Sequence, residues 1–228
     1  RTALSATALS NYQKSPYLYF FRNLLRLPGG YTKTLLYGNV MHAALEKYFR
    51  KCVSQKEILS EEVLLVSFEQ ALRNERLLRE HQQEFLKRGQ EHLAEYYKHS
   101  VAHWNIQVEL EKKVKGIQFA LENGDRILLT GIIDKLEYLP DGTVRVVDYK
   151  SGRPWSEKTK DERELLRMQI VFYKLLLDEY EENGKRFIMT EGLLDFIEPN
   201  KKGTFEQQHF FVTKEDVEEV RKKIQTMA

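Results

Sequence analysis

From Gly38 to Cys52 the apolar residues Met41, Ala44, Leu45, Tyr48 and Cys52 recur at three- and four-residue intervals, which predicts one amphipathic helix with a single buried stripe. Residues 61 to 103 are rich in Leu, Glu, Gln, Arg and Lys and predict two more helices, with a break near Arg79 to Glu84. After Trp104 the period changes to two. Ile106 to Val114 alternates as a strand, Ile117 to Glu122 follows, and Asn123-Gly124-Asp125 turns the chain into a strand from Arg126 to Leu139. Pro140-Asp141-Gly142 is a second turn, leading into a strand from Thr143 to Tyr149 and completing an antiparallel meander. A helix is expected from Asp161 to about Glu182, stopped by Asn183-Gly184. Strands at Phe187 to Ile197 and Thr204 to Val212 come next. A final helix is capped by Thr213, with Asp216 three residues on. The order (helices, meander, helix, strand, strand, helix) predicts a mixed α/β or α+β fold.

Composition narrows this only a little. The chain has 228 residues with no repeat or linker, so one domain is expected over 1–228, helical over 1–104 and carrying its core over 105–228. No stretch is long and apolar enough to span a membrane, and no signal-like segment opens the chain. The first residue is Arg1 rather than Met, which suggests a piece of a larger protein; a processed mature protein is the other explanation. A single cysteine, Cys52, excludes an internal disulfide and any four-cysteine metal or iron–sulfur site, and suits a reducing cytoplasm. The formal charge of +2 does not mark a nucleic-acid binder, although net charge conceals local patches.

The chemistry concentrates in two strands. Asp134 interrupts the apolar run Leu128 to Leu136, where an ionised carboxylate is costly unless it is paired or binds a metal. Asp148 and Lys150 stand two apart on the next strand and so share a face. If the strands pair across the Pro140 to Gly142 turn, Asp134 approaches Asp148 at the end of the sheet. Two carboxylates and an ammonium then suit metal-assisted phosphodiester hydrolysis, the aspartates holding Mg²⁺ or Mn²⁺ and the lysine orienting water or neutralising the transition state. Taken alone, Asp-x-Lys on a strand more often marks a salt bridge. Glu137, at an odd offset from Asp134, faces away and is not counted as a ligand.

The residues Gly131-Ile132-Ile133-Asp134 and Asp148-Tyr149-Lys150-Ser151-Gly152 resemble two motifs of the RecB-like nucleases of the PD-(D/E)XK type, a helicase-associated exonuclease family. Gln169-Ile170-Val171-Phe172-Tyr173 resembles the motif that follows them, and Gly38-Asn39-Val40-Met41-His42 a helical motif with a metal-binding histidine. Leu4 to Leu9 and Ser15-Pro16 resemble the family's opening segment. The resemblance implies a restriction-endonuclease-like core, a central mixed sheet flanked by helices, with an N-terminal helical region. It also implies His42, Asp134 and Asp148 as metal ligands, the Tyr149 carbonyl as a further one, and Lys150 as the catalytic lysine. Gln169 and Tyr173, four apart on one helical face, would contact the active site or DNA. Without the motif His42 reads as a packed or capping residue, and Tyr173 as core. Some relatives carry an iron–sulfur cluster on cysteines; with Ser15 before Pro16 and no C-terminal cysteine, none is expected here.

The implied function is metal-dependent DNA hydrolysis from ends, in recombination or repair, in a nucleoid-associated complex with a helicase of the same or a partner chain. The rivals are a silent DNA-binding module and an endonuclease specific for RNA or for a DNA structure. Among accessory residues, Arg153, Lys158, Lys160, Arg163 and Arg167 form a basic stretch that would attract phosphate. Trp155 is a candidate for base stacking. Tyr17, Tyr19, Phe20 and Phe21 read as core rather than as a stacking surface. Glu109 receives a weak supporting role over Glu111. His99 and His103 have zinc-pair spacing but no third ligand.

Overall fold

A computed structural model describes residues 3–30, 32–75 and 77–227. The helical region comprises α1 (Ala6–Lys14), the short α2 (Pro16–Tyr19), α3 (Lys33–Gln55), α4 (Glu61–Asn74) and α5 (Arg79–Ser100). A π-helical turn, Phe20–Leu24, follows α2. The five-residue stripe of α3 is wholly buried, as its spacing requires. The break between α4 and α5 falls earlier than expected, just after Asn74: Glu75 is already extended and Leu78 caps the next helix. Arg79 to Glu84 are helical because they contain no Gly or Pro to stop the chain.

The meander is β1 (Val108–Ala120), β2 (Arg126–Tyr138) and β3 (Val144–Lys150). It turns at Gly124 and Gly142, with φ of 88° and 82°, a backbone region open to glycine at little cost. The strand order β1-β2-β3-β6-β7 makes a five-stranded mixed sheet, parallel between β3 and β6 (Met189–Phe196) and antiparallel elsewhere. Between these strands lies α6 (Lys160–Asp178), the helix that crosses over the sheet. A capping box fixes its start: Thr159 accepts from the Glu162 N–H while the Glu162 carboxylate accepts from the Thr159 N–H.

Asn183-Gly184 is not the stop of that helix. Both residues have positive φ, 53° and 77°, and they form the two-residue turn of a small hairpin, β4 (Glu181–Glu182) and β5 (Lys185–Arg186). The helix ends four residues earlier because the sequence Asn-Gly serves a hairpin turn as readily as a helix end. After β7 (Gln207–Phe210), α7 (Lys214–Met227) is capped as expected, with reciprocal bonds between Thr213 and Asp216.

Two apolar cores sandwich the sheet. One gathers α1, α6 and α7 on one face; the other gathers α3, α4 and α5 on the opposite face. Period-two alternation divides β3 between them, with Val144 and Val146 in the first core and Val147 and Tyr149 in the second. Contrary to the sequence reading, Tyr17, Phe20 and Phe21 are exposed, Tyr17 at 76%; four aromatics in one short helical segment exceed what a single buried stripe can hold.

Candidate active site

β2 and β3 pair from Tyr138↔Val144 to Lys135↔Val147, and the ladder ends there. Asp134 and Asp148 are the next residues on either strand, so they stand where the strands part. The separation leaves the Tyr149 N–H without a strand partner, and the Asp134 carboxylate takes its place, accepting at 2.9 Å. The Tyr149 ring is buried behind the site, edge-on to His42 at 6.2 Å between centroids.

Helices close in from both sides. His42 on α3 places Nδ1 3.3 Å from Asp134 Oδ2. On the other side α6 presents Gln169, whose amide donates to Asp148 Oδ1 at 2.8 Å and whose carbonyl oxygen accepts from Lys150 Nζ at 2.9 Å. The Tyr173 hydroxyl donates to the same Asp148 oxygen at 3.3 Å and accepts from Gln169 at 3.0 Å. Tyr173 is therefore both a core ring and a polar tip at the site. The half-buried Gln169 amide has a partner for both its oxygen and its nitrogen. Asp148 Oδ2 is paired with the Lys150 ammonium. His42, Asp134, Asp148, Lys150, Gln169 and Tyr173 thus converge. Glu137 turns away, as its odd offset implies, and is paired with Lys135 and Arg145.

One acidic residue at the site was misjudged in sequence. Glu109 binds Lys112 at 2.7 Å and Tyr138, outside the site. Glu111 instead lies between the pairs Leu110↔Lys135 and Lys112↔Ile133, opposite Asp134, and shares a pocket with Asp134 and His42. Glu111 has a φ of 51°, which breaks the strand's alternation, so that it and Glu109, two apart, face different ways. A bulge between Val114 and Ile117, with Gly116 at φ 76°, shifts the register before it by one and sets Glu111 across from Asp134. The signal was the glycine inside a strand run.

The carboxylates of the cluster act on one another's ionisation. Burial raises the Asp148 pKa, Asp134 adds to the rise, and Lys150 opposes it. Glu111 is raised by burial and then by Asp134 and Glu46. Burial opposes protonation of His42, yet the hydrogen bond and charge of Asp134 outweigh it and the net shift is upward. Carboxylates that hinder one another's ionisation are relieved by a cation. The donor set of one imidazole, two aspartates and a glutamate is hard and oxygen-rich, and fits Mg²⁺ or Mn²⁺. Among the described residues no three His, Cys, Asp or Glu side chains already form a finished cage. Ions of this type keep several waters and need few protein ligands, so the donor set still fits.

The remaining sequence candidates lie elsewhere. His99 packs on Phe205, with centroids 5.6 Å apart. Trp155 is held between Phe210 and the Arg163 guanidinium, which occupies the ring proposed for base stacking. Cys52 is buried in the second core.

Residues 3–228 match the profile of the PD-(D/E)XK nuclease superfamily. The chain belongs to that superfamily. Membership places it among the nucleases, hydrolases of phosphodiester bonds. It is 28% identical over 217 residues to a subunit of the ATP-dependent helicase/deoxyribonuclease of Streptococcus suis, covering 86% of this chain and 19% of that protein. It is 26% identical over 167 residues to the like-named protein of Streptococcus pyogenes, covering 65% of this chain and 14% of the relative. The chain therefore spans about a fifth or less of these curated relatives. Among solved structures, a candidate exonuclease from Eubacterium rectale superposes with a TM-score of 0.60 at 12% identity, covering 99% of this chain and 78% of the other; this is a likeness of fold. No helix among the described residues is long and apolar enough to cross a membrane.

Proposed function

We propose that this PD-(D/E)XK domain is a divalent-metal-dependent deoxyribonuclease that works from DNA ends as part of a helicase–nuclease in recombination or repair. The observation that carries the chemistry is the convergence of Asp134, Asp148, Lys150 and His42 where β2 and β3 diverge. Mg²⁺ or Mn²⁺ on His42, Asp134, Asp148 and the Tyr149 carbonyl, with Glu111 beside them, would activate water and neutralise phosphate charge. Lys150, held by Gln169 and Asp148, directs its ammonium at the phosphate oxygen that gains charge as the new O–P bond forms and the old one breaks. Gln169 and Tyr173 keep Asp148 in one orientation. The names of the relatives, helicase/deoxyribonuclease subunits, support the DNA substrate and the helicase partner.

End-labelled DNA incubated with Mg²⁺ or Mn²⁺ tests this. The domain should cut, stop on chelation, and lose on the order of a hundredfold or more of its rate in Lys150→Ala. Equal rates with and without metal, or in the variant, would sink the proposal. A wild type that binds DNA but never cuts it, even within the full-length parent, would leave the silent binding module as the reading.

A pH dependence follows from His42. A metal requires the neutral imidazole, and the folded-state pKa of His42 lies above its ordinary 6.5. Cleavage at subsaturating metal should therefore rise with pH through that elevated value. The His42–Asp134 pairing contributes stability below the unfolded histidine pKa and loses it as pH rises through the folded one. His42→Gln should flatten this limb of the pH–rate profile; an unchanged limb would assign it to another group.

A further inference from the structure

Beside the site, a cleft of about 880 Å³ opens between helices α3 and α5 on one wall and the loops at 151–158 and 198–201 on the other. The cations Lys33, Arg88, Arg153, Lys158 and Lys201 line it. Four of them face a carboxylate: Lys33 meets Glu84 and Arg153 meets Glu162 at the surface, Lys201 stands 4.0 Å from Glu157, and Arg88 meets Glu198. The exposed pairs of Lys33, Arg153 and Lys201 are weak and exchange readily for a phosphate, whereas Arg88 meets a buried carboxylate.

Lys158 differs from the others. It is half-buried, its amine lies 5.7 Å from the Phe196 ring, and among the described residues no carboxylate stands within ion-pair distance of it. Burial lowers its pKa, the charge of Glu162 opposes this, and Arg153 and Lys150 lower it further, so that the net shift is downward. An ammonium held near two other cations favours an anion between them. Lys158 also lines a second cleft of about 300 Å³ that reaches Gln169, while the first cleft reaches Ser151 and Gly152 just past Lys150. Lys158 is therefore the junction of two clefts that both lead to the site.

Arg88 is fixed at the other end. Its guanidinium lies 4.7 Å over the Tyr37 ring and meets the buried Glu198, which also accepts from the Gly152 N–H at 2.7 Å. The side chain stays 45% exposed, so it is oriented without being covered. The Tyr37 hydroxyl, buried in the same wall, has no partner. By contrast Arg163 and Arg167, from the same basic stretch of sequence, are taken up by the Trp155 and Ser156 carbonyls and by Asp216.

We propose that this cleft is a phosphate-binding subsite that holds the substrate strand beside the scissile bond, with Lys158 as its inner cation and Arg88 as its outer one. It deepens the nuclease reading above and rests on it. A cleft of about 880 Å³ between two walls suits a single strand better than a duplex. Contacts to phosphate make the recognition independent of sequence.

The test is fluorescence anisotropy of a labelled oligothymidylate in EDTA, which separates binding from cutting, at several salt concentrations. Lys158→Gln should weaken binding about tenfold at low salt and reduce the slope of log affinity against log salt by about 0.7. Lys158→Arg should restore both. Lys222→Gln, on α7 and outside both clefts, should change neither. Wild-type affinity and slope in Lys158→Gln, or equal competition by a matched duplex, overturns the subsite. If that variant also cuts as wild type does, the subsite falls and the nuclease stands. If the strand is bound through Lys158 but no divalent metal supports cutting, the nuclease reading falls and the subsite stands.

Discussion

Asp148→Asn should lower DNA cleavage on the order of a thousandfold while the domain remains folded. The side chain is 3% exposed and fully engaged: Oδ1 accepts from Gln169 and Tyr173, and Oδ2 faces the Lys150 ammonium. Asparagine has the same shape and keeps an oxygen for Gln169, so packing and the position of α6 survive. It puts an amide donor where Oδ2 was, against another donor, and removes the negative charge that would bind the metal. Both a metal ligand and the counter-charge that holds Lys150 are lost together. Single-turnover cleavage, a circular dichroism melt and calorimetric titration with Mn²⁺ separate these effects. The expected result is a nearly unchanged melt with metal binding and cleavage both lost. A variant that cuts within tenfold of wild type would remove Asp148 from the reaction.

Gly131→Val should destabilise the fold by about 1–3 kcal/mol, and activity should fall with it. The glycine is the first position of the Gly-x-x-Asp motif. A Cβ at Gly131 would lie 2.6 Å from Leu176 Cδ1 and 3.6 Å from the Tyr173 ring, so α6 rests directly on the backbone of β2. A valine there pushes away the helix that carries Gln169 and Tyr173, and the hydrogen bonds to Asp148 and Lys150 lengthen. For a domain of this size the loss corresponds to a fall in Tm of roughly 2–4 °C per kcal/mol. Leu176→Ala alone should cost about 2–5 kcal/mol as a cavity. The double variant should be less unstable than the sum of the two, because each change removes the other's difficulty. Additivity within about 0.5 kcal/mol would mean that this close approach does not set the helix position.

The fold was legible wherever the chain repeats one local preference. The α3 stripe, the turns at Gly124 and Gly142, and the Thr213–Asp216 cap follow from spacing and turn chemistry alone. Legibility failed where one local signal serves two structures. Asn183-Gly184 suits a helix stop or a hairpin turn, and only the short pairing of β4 with β5 decides between them. The Tyr17 to Phe21 aromatics looked like core because hydrophobicity does not say how much surface is available to cover them.

For the candidate site, the sequence by itself determined that Asp134, Asp148 and Lys150 meet at one end of the sheet. Strand periodicity puts Asp148 and Lys150 on one face, and the turn at Pro140 to Gly142 sets the partner strand's register. Whether those groups meet anything else is a matter of distance across the chain, which no local pattern encodes. Tertiary structure brought His42 from α3 to Asp134 and set Arg88 beside the loop that follows Lys150. It also sent Arg163 and Arg167 away from the cleft while leaving Lys158 inside it. The choice of Glu111 over Glu109 turned on the backbone: two residues apart on a regular strand would share a face, and the positive φ of Glu111, with the register shift at the Gly116 bulge, sets it across from Asp134 instead.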